Sequence, residues 1–269
     1  MKKIAFLFVL VFGLTAGCDY IDDPIQGGDG GGGNPTDSLV QKVLVEDYTG
    51  HKCPNCPDAA TEAEDLKAIY GDQVVIVAVH AGFFASPSTG FETDFTTPEG
   101  DAMNGFFGFA AYPTGMVNRK GYPGQHVLNF QAWPPAVADA LMDEPLADLN
   151  LTATLEGNIV TADVEVIYQS ALDGAYAAVV WITEDGIIAP QVYVGQTIPD
   201  YEHNHVLRTS LNSTWGDTIS SGPVEVLTPY NETYSTSWNA EWNEQNCHVV
   251  AFLYDMATFE VLQVEEISL

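Results

Sequence analysis

The chain has 269 residues, 37 of them acidic and 8 basic, for a formal net charge of −29. Nothing this acidic neutralises a phosphate backbone, so a nucleic-acid partner is excluded. Apolar residues make up 46%, enough for packed cores, so the sequence describes a globular protein and not an acidic disordered one. The excess acid suits solubility of an exported chain. No Asp-x-Asp-x-Asp-Gly loop turns it into a calcium site, and no cofactor is expected.

In chain order, Met1-Lys2-Lys3 is basic, Ile4 to Leu14 is apolar but too short to span a bilayer, and Ala16-Gly17 precede Cys18. Residues 1–17 resemble a bacterial lipoprotein signal. The resemblance implies cleavage before Cys18, lipidation of that cysteine, and the membrane as a partner. Thr15 stands where such signals usually carry an aliphatic residue, with Leu14 one place further back, so an ordinary secretory signal is the other reading. Residues 18–37 form an acidic, glycine-rich tether, with Asp19, Asp22 and Asp23 followed by Gly27 to Gly33. Acid directly behind a lipidated cysteine resembles the surface-export signal of Bacteroidota lipoproteins. The plainer reading is a solvated linker.

The first folded stretch is the most informative. A β-branched run, Val43-Leu44-Val45, passes through Tyr48-Thr49-Gly50 into Cys53-Pro54-Asn55-Cys56, and Ala59, Ala60, Ala63, Leu66 and Ile69 then recur at helical period. The helix N-terminus offers free N–H groups and partial positive charge, which favour a thiolate at the first cysteine. Asp47 lies six residues before Cys53, and Ala111-Tyr112-Pro113-Thr114-Gly115 follows downstream. Together these residues resemble the thioredoxin fold. That resemblance implies a nucleophilic Cys53, a resolving Cys56, a proton-shuttling Asp47, and a cis Pro113 offering a backbone edge to substrate. Lys52 replaces the tryptophan that thioredoxins carry before the first cysteine, which argues against typical thioredoxin reductase coupling. Zinc at Cys53 and Cys56 lacks two further ligands, since His51 is adjacent but no second CxxC or HxxxH exists.

The thioredoxin-like domain is expected over 38–145. Gln73 to His80 reads as a strand buried on both faces, and His80 falls at its end, where an α/β active site lies. It is either catalytic there or makes a structural hydrogen bond. Residues 83–109 read as an insertion rich in aromatics, among them Phe83, Phe84, Phe91 and Phe95, which line a groove beside the cysteines or pack on the sheet. Met116 to Arg119 continues as a strand, and Gln125 to Asp143 is expected to close the domain as a helix, with Pro134-Pro135 in its first turn.

From 146 to 269 short alternating segments replace helical period. Leu149–Leu155 and Ile159–Tyr168 form a hairpin about Glu156-Gly157-Asn158. Further strands are expected at 176–183, 187–194, 224–228, 232–238, 248–254 and 260–267. The expected fold is therefore an α/β thioredoxin-like domain, a central mixed sheet with flanking helices, followed by an antiparallel β-sandwich. Cys247 shares a face with Val249, Ala251 and Leu253 and reads as an inert core residue. Asp200 to Arg208 reads as a long connection. Its His203 and His205 are either a two-histidine metal chelate or, more plainly, a loop satisfying buried backbone groups. The Tyr-x-His-Asn-His-Val-Leu-Arg run, with the Tyr-Pro-Thr-Gly loop, the Cys-Pro-Asn-Cys helix and the closing Val-Leu-Gln-Val, resembles the twenty-eight-kilodalton outer-membrane-protein family of Bacteroidota lipoproteins. The resemblance implies an outer-membrane location and names no activity.

Two functions stand from sequence. One is a surface-exposed lipoprotein that binds a protein partner or serves as an accessory module, with Cys53–Cys56 a static disulfide. The other is a thiol–disulfide oxidoreductase acting on exported proteins through the same pair.

Overall fold

The computed structural model describes residues 39–269. The expected signal segment, Cys18 and the expected tether lie outside them. Strand β1 (Val43–Thr49) leads through the CxxC into helix α1 (Cys56–Tyr70), then β2 (Val74–His80), α2 (Pro98–Phe107), β3 (Thr114–Val117) and α3 (Trp133–Ala140). After these come β4 (Ala147–Glu156), β5 (Ile159–Tyr168), β6 (Asp173–Glu184), β7 (Ile187–Tyr193), β8 (Gln196–His203), β9 (Val206–Ser210), β10 (Asp217–Pro223), β11 (Pro229–Ser237), β12 (Cys247–Asp255) and β13 (Val261–Ser268).

A mixed eight-stranded sheet in the order β13-β12-β6-β9-β2-β1-β3, with β10 paired to β6, organises the molecule. β1 runs parallel to β2 and antiparallel to β3. Every residue of β1 and β2 is buried, as their unbroken apolar runs require. Alternation sends Leu44, Tyr48, Val75, Val77 and Val79 to one face, where Met103 and Phe107 of α2 cover them. Val43, Val45, Val74 and Ile76 face α1 and α3 on the other. Further along, the same sheet turns Val180, Ile182, Val249 and Ala251 towards the antiparallel sheet β11-β5-β4.

The expected boundary at 145/146 therefore does not separate two sheets. β9 from the second half pairs with β2 from the first, and residues 39–269 form one compact unit. The expected sandwich shares one of its layers with the α/β half. Period-2 patterning identifies strands but not which sheet they join, and this joint rests on a short pairing, Ala78 with Val206.

Smaller departures have local causes. The unpatterned 83–109 contains α2, started by Thr97, whose hydroxyl accepts the Gly100 N–H, and by Pro98 in the first turn. The closing helix is shorter than expected, Trp133–Ala140 instead of 125–143. Residues 224–228 are a turn between β10 and β11, and Ile69 is 70% exposed, off the buried face of α1. Cys247 is buried among Val249, Ala251 and Leu253, as its alternation implied.

Gly115 in β3 is held tightly: a Cβ there would sit 2.4 Å from the Glu46 carbonyl oxygen and 2.6 Å from the Trp133 ring. Gly115→Ala is expected to destabilise by about 1–3 kcal/mol, the range for overpacking. Urea denaturation checks this, and an unchanged midpoint would contradict it.

Candidate functional site

β1 delivers the chain into the CxxC with the Cys53 N–H on the Gly50 carbonyl at 2.9 Å. Cys56 opens α1 and Pro57 follows, where a missing N–H costs nothing. Cys53 and Cys56 lie at disulfide distance, Cα atoms 5.4 Å apart. The Tyr112–Pro113 bond is cis. Pro113 directly precedes Thr114, which registers against Tyr48, so the proline sits at the end of β1 that feeds the cysteines.

Both cysteines are sealed, with Cys53 1% and Cys56 2% exposed. The cover is the β7–β8 hairpin. Its Val192 N–H donates to the His51 carbonyl at 2.8 Å, its Gln191 side-chain amide to the Cys53 carbonyl at 2.9 Å, and its Val194 N–H to the Pro54 carbonyl at 3.3 Å. Tyr193 adds a hydrogen bond to Asp58 at 2.9 Å. On the opposite flank the Lys52 N–H donates to the Phe84 carbonyl at 3.0 Å, where a Cβ on Gly50 would clash with Phe84 backbone. The insertion thus meets the segment before the cysteines at Lys52, through the Phe84 backbone and not through an aromatic groove.

Behind the pair lies a cavity of about 130 Å3, walled by Asp47, Thr49, Cys56, His80, Tyr201 and His203 among others. Register explains who faces it. Asp47 pairs with Ala78 and Thr49 with His80, so Asp47, Thr49 and His80 point to the α1 side together. Tyr201 and His203, two apart on β8, roof it with rings 4.9 Å apart. Burial alone pushes the Asp47 carboxyl up to about 8, and its Oδ1 has no protein partner. Burial also holds His80 well below the usual imidazole range, with His203 adding to the effect, and drives His203 down to about 4. The Phe95 ring packs tilted against both His80 and His203, at 4.7 and 4.6 Å, with His51 edge-on to it at 5.6 Å.

His203 and His205 do not act as a pair. His203 faces His80 and Phe95, whereas His205 has positive φ and stands 3.4 Å from both Glu64 and Asp185. The stretch 200–208 is not one long connection but the end of β8, a reversal at Asn204-His205, and β9. Its polar groups satisfy backbone: Asn204 accepts the Gly186 N–H, and the His205 carbonyl accepts the Ala78 N–H, both at 2.8 Å. Among the described residues, no three His, Cys, Asp or Glu side chains stand ready to hold a metal ion.

Sequence reasoning missed two parts of this region. Gln191 and the hairpin cover carry no local signal, because β7 reads as one more strand. The second is Arg119, which forks onto Glu46 at 2.7 and 2.8 Å with both side chains 1% exposed. A glutamate inside the apolar run Val43–Thr49 was the available clue, since a buried charge demands a partner.

The fold and site define a mixed α/β protein whose helix-terminal CxxC is closed over by a hairpin from its own second half. Residues 100–269 match the family model for the outer membrane protein Omp28, and the chain belongs to that family. No curated protein matches the sequence. Among solved structures, HBP35 of Porphyromonas gingivalis is similar over 86% of this chain and 76% of its own, at 18% identity and a TM-score of 0.69. Protein AGR_C_4864 from Agrobacterium tumefaciens is similar over 86% and 96%, at 14% identity and a TM-score of 0.51. A domain of the outer membrane lipoprotein Omp28 from Porphyromonas gingivalis aligns over 47% and 90%, at 20% identity with a TM-score of only 0.34.

Proposed function

We propose that this chain is an outer-membrane lipoprotein, anchored through Cys18 after removal of residues 1–17. It faces the cell surface and serves as a binding or accessory module on a thioredoxin-like core, with Cys53–Cys56 a static disulfide. The observation that carries this reading is the hairpin cover. An exchange reaction needs a thiolate in line with a partner's sulfur, and here Gln191, Val192 and Val194 occupy the approach to the CxxC loop. The thioredoxin-like core is supported by the strand into the CxxC helix, flanked by parallel β2 and by antiparallel β3 after a cis proline. Acidic Asp19, Asp22 and Asp23 support the outward face.

The test is the reduction potential of the pair, read by alkylation and mass spectrometry across a thiol–disulfide series on the mature chain. The expected result is a pair that stays oxidised below about −300 mV. A potential near about −200 mV with Cys53 alkylated first would overturn the static reading.

One observation favours the second reading, a thiol–disulfide oxidoreductase. Asp47 is buried, carries a raised pKa, and lines the same cavity as Cys56, which suits moving a proton to a resolving cysteine. In that reading the hairpin opens. Gln191→Ala is then expected to speed Cys53 alkylation after reduction several-fold and to raise turnover of a disulfide substrate in parallel. Faster alkylation without turnover would leave the static reading standing.

A further inference from the structure

The three-stranded sheet β11-β5-β4 ends on an open edge, and strand register fixes which groups stand there. β4 and β5 close on Glu156 opposite Ile159 across a tight turn, so the odd-numbered residues of β5 bond to β4. The even-numbered residues of β5 therefore bond to β11, opposite Tyr230, Glu232, Tyr234 and Thr236. The Trp238 N–H on the Asn158 carbonyl, at 2.9 Å, continues that phase. The N–H and C=O groups of Asn231, Thr233 and Ser235 are left pointing away from β5. All three residues are exposed, and among the described residues no strand but β5 pairs with β11. Tyr230 and Tyr234 pack on the core below and hold the strand in place.

Other edges of the molecule are blunted or closed. β10 is bulged between Thr218 and Ser220, and β7 and β8 carry Pro190 and Pro199. On β4, the Ala147 carbonyl accepts the Gln263 side-chain amide at 3.4 Å. β11 instead runs from Tyr230 to Ser237 with no proline, lysine or register shift. An exposed, straight edge of this kind is what an extended segment pairs with when it joins a sheet.

Charge selects the segment. From 146 to 269 the sequence has one Lys or Arg, Arg208, and Glu184 holds it at 3.3 Å. Beside β11, Asp163, Glu165 and Glu232 line a shallow polar hollow of about 310 Å3. Two copies of this chain meeting edge to edge would bring those acids together, so like charge opposes self-pairing. A basic strand meets no such barrier. From these observations we propose that β11 takes up an extended, lysine- or arginine-bearing segment of a partner protein as a fourth strand of its sheet. Main-chain bonds to Asn231, Thr233 and Ser235 hold the segment, and its basic side chains lie over Asp163 and Glu165. This names the partner class of the binding module proposed above and rests on that reading.

The probe is a fluorescent peptide of the length of β11, nine residues, alternating lysine with valine. Its anisotropy is expected to saturate on titration with the full mature chain. The same peptide methylated on the backbone nitrogens along one edge keeps its charge but cannot pair, and is expected to bind at least roughly tenfold more weakly. A peptide with glutamate in place of lysine is expected not to bind. Ser235→Pro removes an N–H that points away from β5, so it leaves the ladder to β5 whole while weakening the lysine peptide by roughly tenfold. The methylated peptide tests the pairing on the unmutated chain, with no variant to misfold. No saturation with the lysine peptide, equal binding of the methylated or glutamate peptide, or indifference to Ser235→Pro would each overturn the proposal. So would a dimer of the chain that Ser235→Pro dissociates, because the edge would then belong to a second copy. None of these readouts involves the cysteines, so a failed peptide leaves the static disulfide to be judged by its own potential.

Discussion

Glu46→Ala is expected to cost about 3–5 kcal/mol of stability, enough to leave little of a typical domain's margin. Glu46 lies in β1 between β2 and β3, and the Arg119 fork is its partner, with no solvent to replace it. Truncation strands a guanidinium among Phe107, Phe252 and Tyr254, whose rings stand 5.1, 4.9 and 5.7 Å from its centre. These rings offset part of the desolvation but cannot take the charge's hydrogen bonds. Arg119→Lys is expected to behave almost as badly, since an ammonium cannot fork. Replacing both partners, Glu46→Leu with Arg119→Met, is expected to recover most of the loss, because an apolar pair of similar volume carries no desolvation cost. Urea denaturation of the three variants checks this. A double variant as unstable as Glu46→Ala would mean the pair holds the fold by more than its charges.

Stability is expected to peak near pH 6 to 7 and fall on both sides. Asp47 keeps its proton in the folded state up to about 8 and loses it near 3.8 when unfolded. Between those values the folded state binds more protons, so stability falls as pH rises, by up to about 1.4 kcal/mol per pH unit. His203 has the opposite sign. Its folded value is about 4 against 6.5 unfolded, so the unfolded state binds more protons in that window and stability is lost as pH drops through it. His80 and His51, both lowered mainly by burial, act the same way. His248, raised mainly by its hydrogen bond to Asp185, adds to the alkaline decline, because its contribution is lost as pH passes its folded value. Below about 6.5 the histidines outweigh Asp47, and above it Asp47 and His248 act alone. Asp47→Asn is therefore expected to flatten the alkaline limb and steepen the acid one. Thermal unfolding from pH 4 to 9 measures both, and an alkaline limb unchanged in Asp47→Asn would mean that Asp47 is ionised in the fold.

Much of this was legible from residues alone. The run from Val43 to Leu66 carried strand, turn and helix in one reading, because β-branching and a 3.6-residue period each act locally. Alternation placed Cys247 on the correct face of β12. The cavity was half legible: Asp47 and His80 stood out by position, whereas His203 was read together with His205, whose ring stands by Glu64 and Asp185. Pairing across distance was not legible. Nothing in Ala78 or Val206 announces that they meet, and nothing in Gln191 announces the Cys53 carbonyl. Arg119 sits after β3 with positive φ, so no period marked it as buried.

The hairpin cover also sets an order of events in the making of the protein. The cysteines are separated by two residues near the start of the described chain, whereas their cover is built from 187–203 and is held at its base by Asp185, Asn204 and His205. Under the export proposed above, which runs from the N-terminus, Cys53 and Cys56 would reach an oxidising compartment before residues 187–203 that cover them. In that reading the bond would close while the pair is still accessible, and the later strands would then cover it. A bond broken after that point has to wait for residues 187–203 to lift before any outside thiol can reach it.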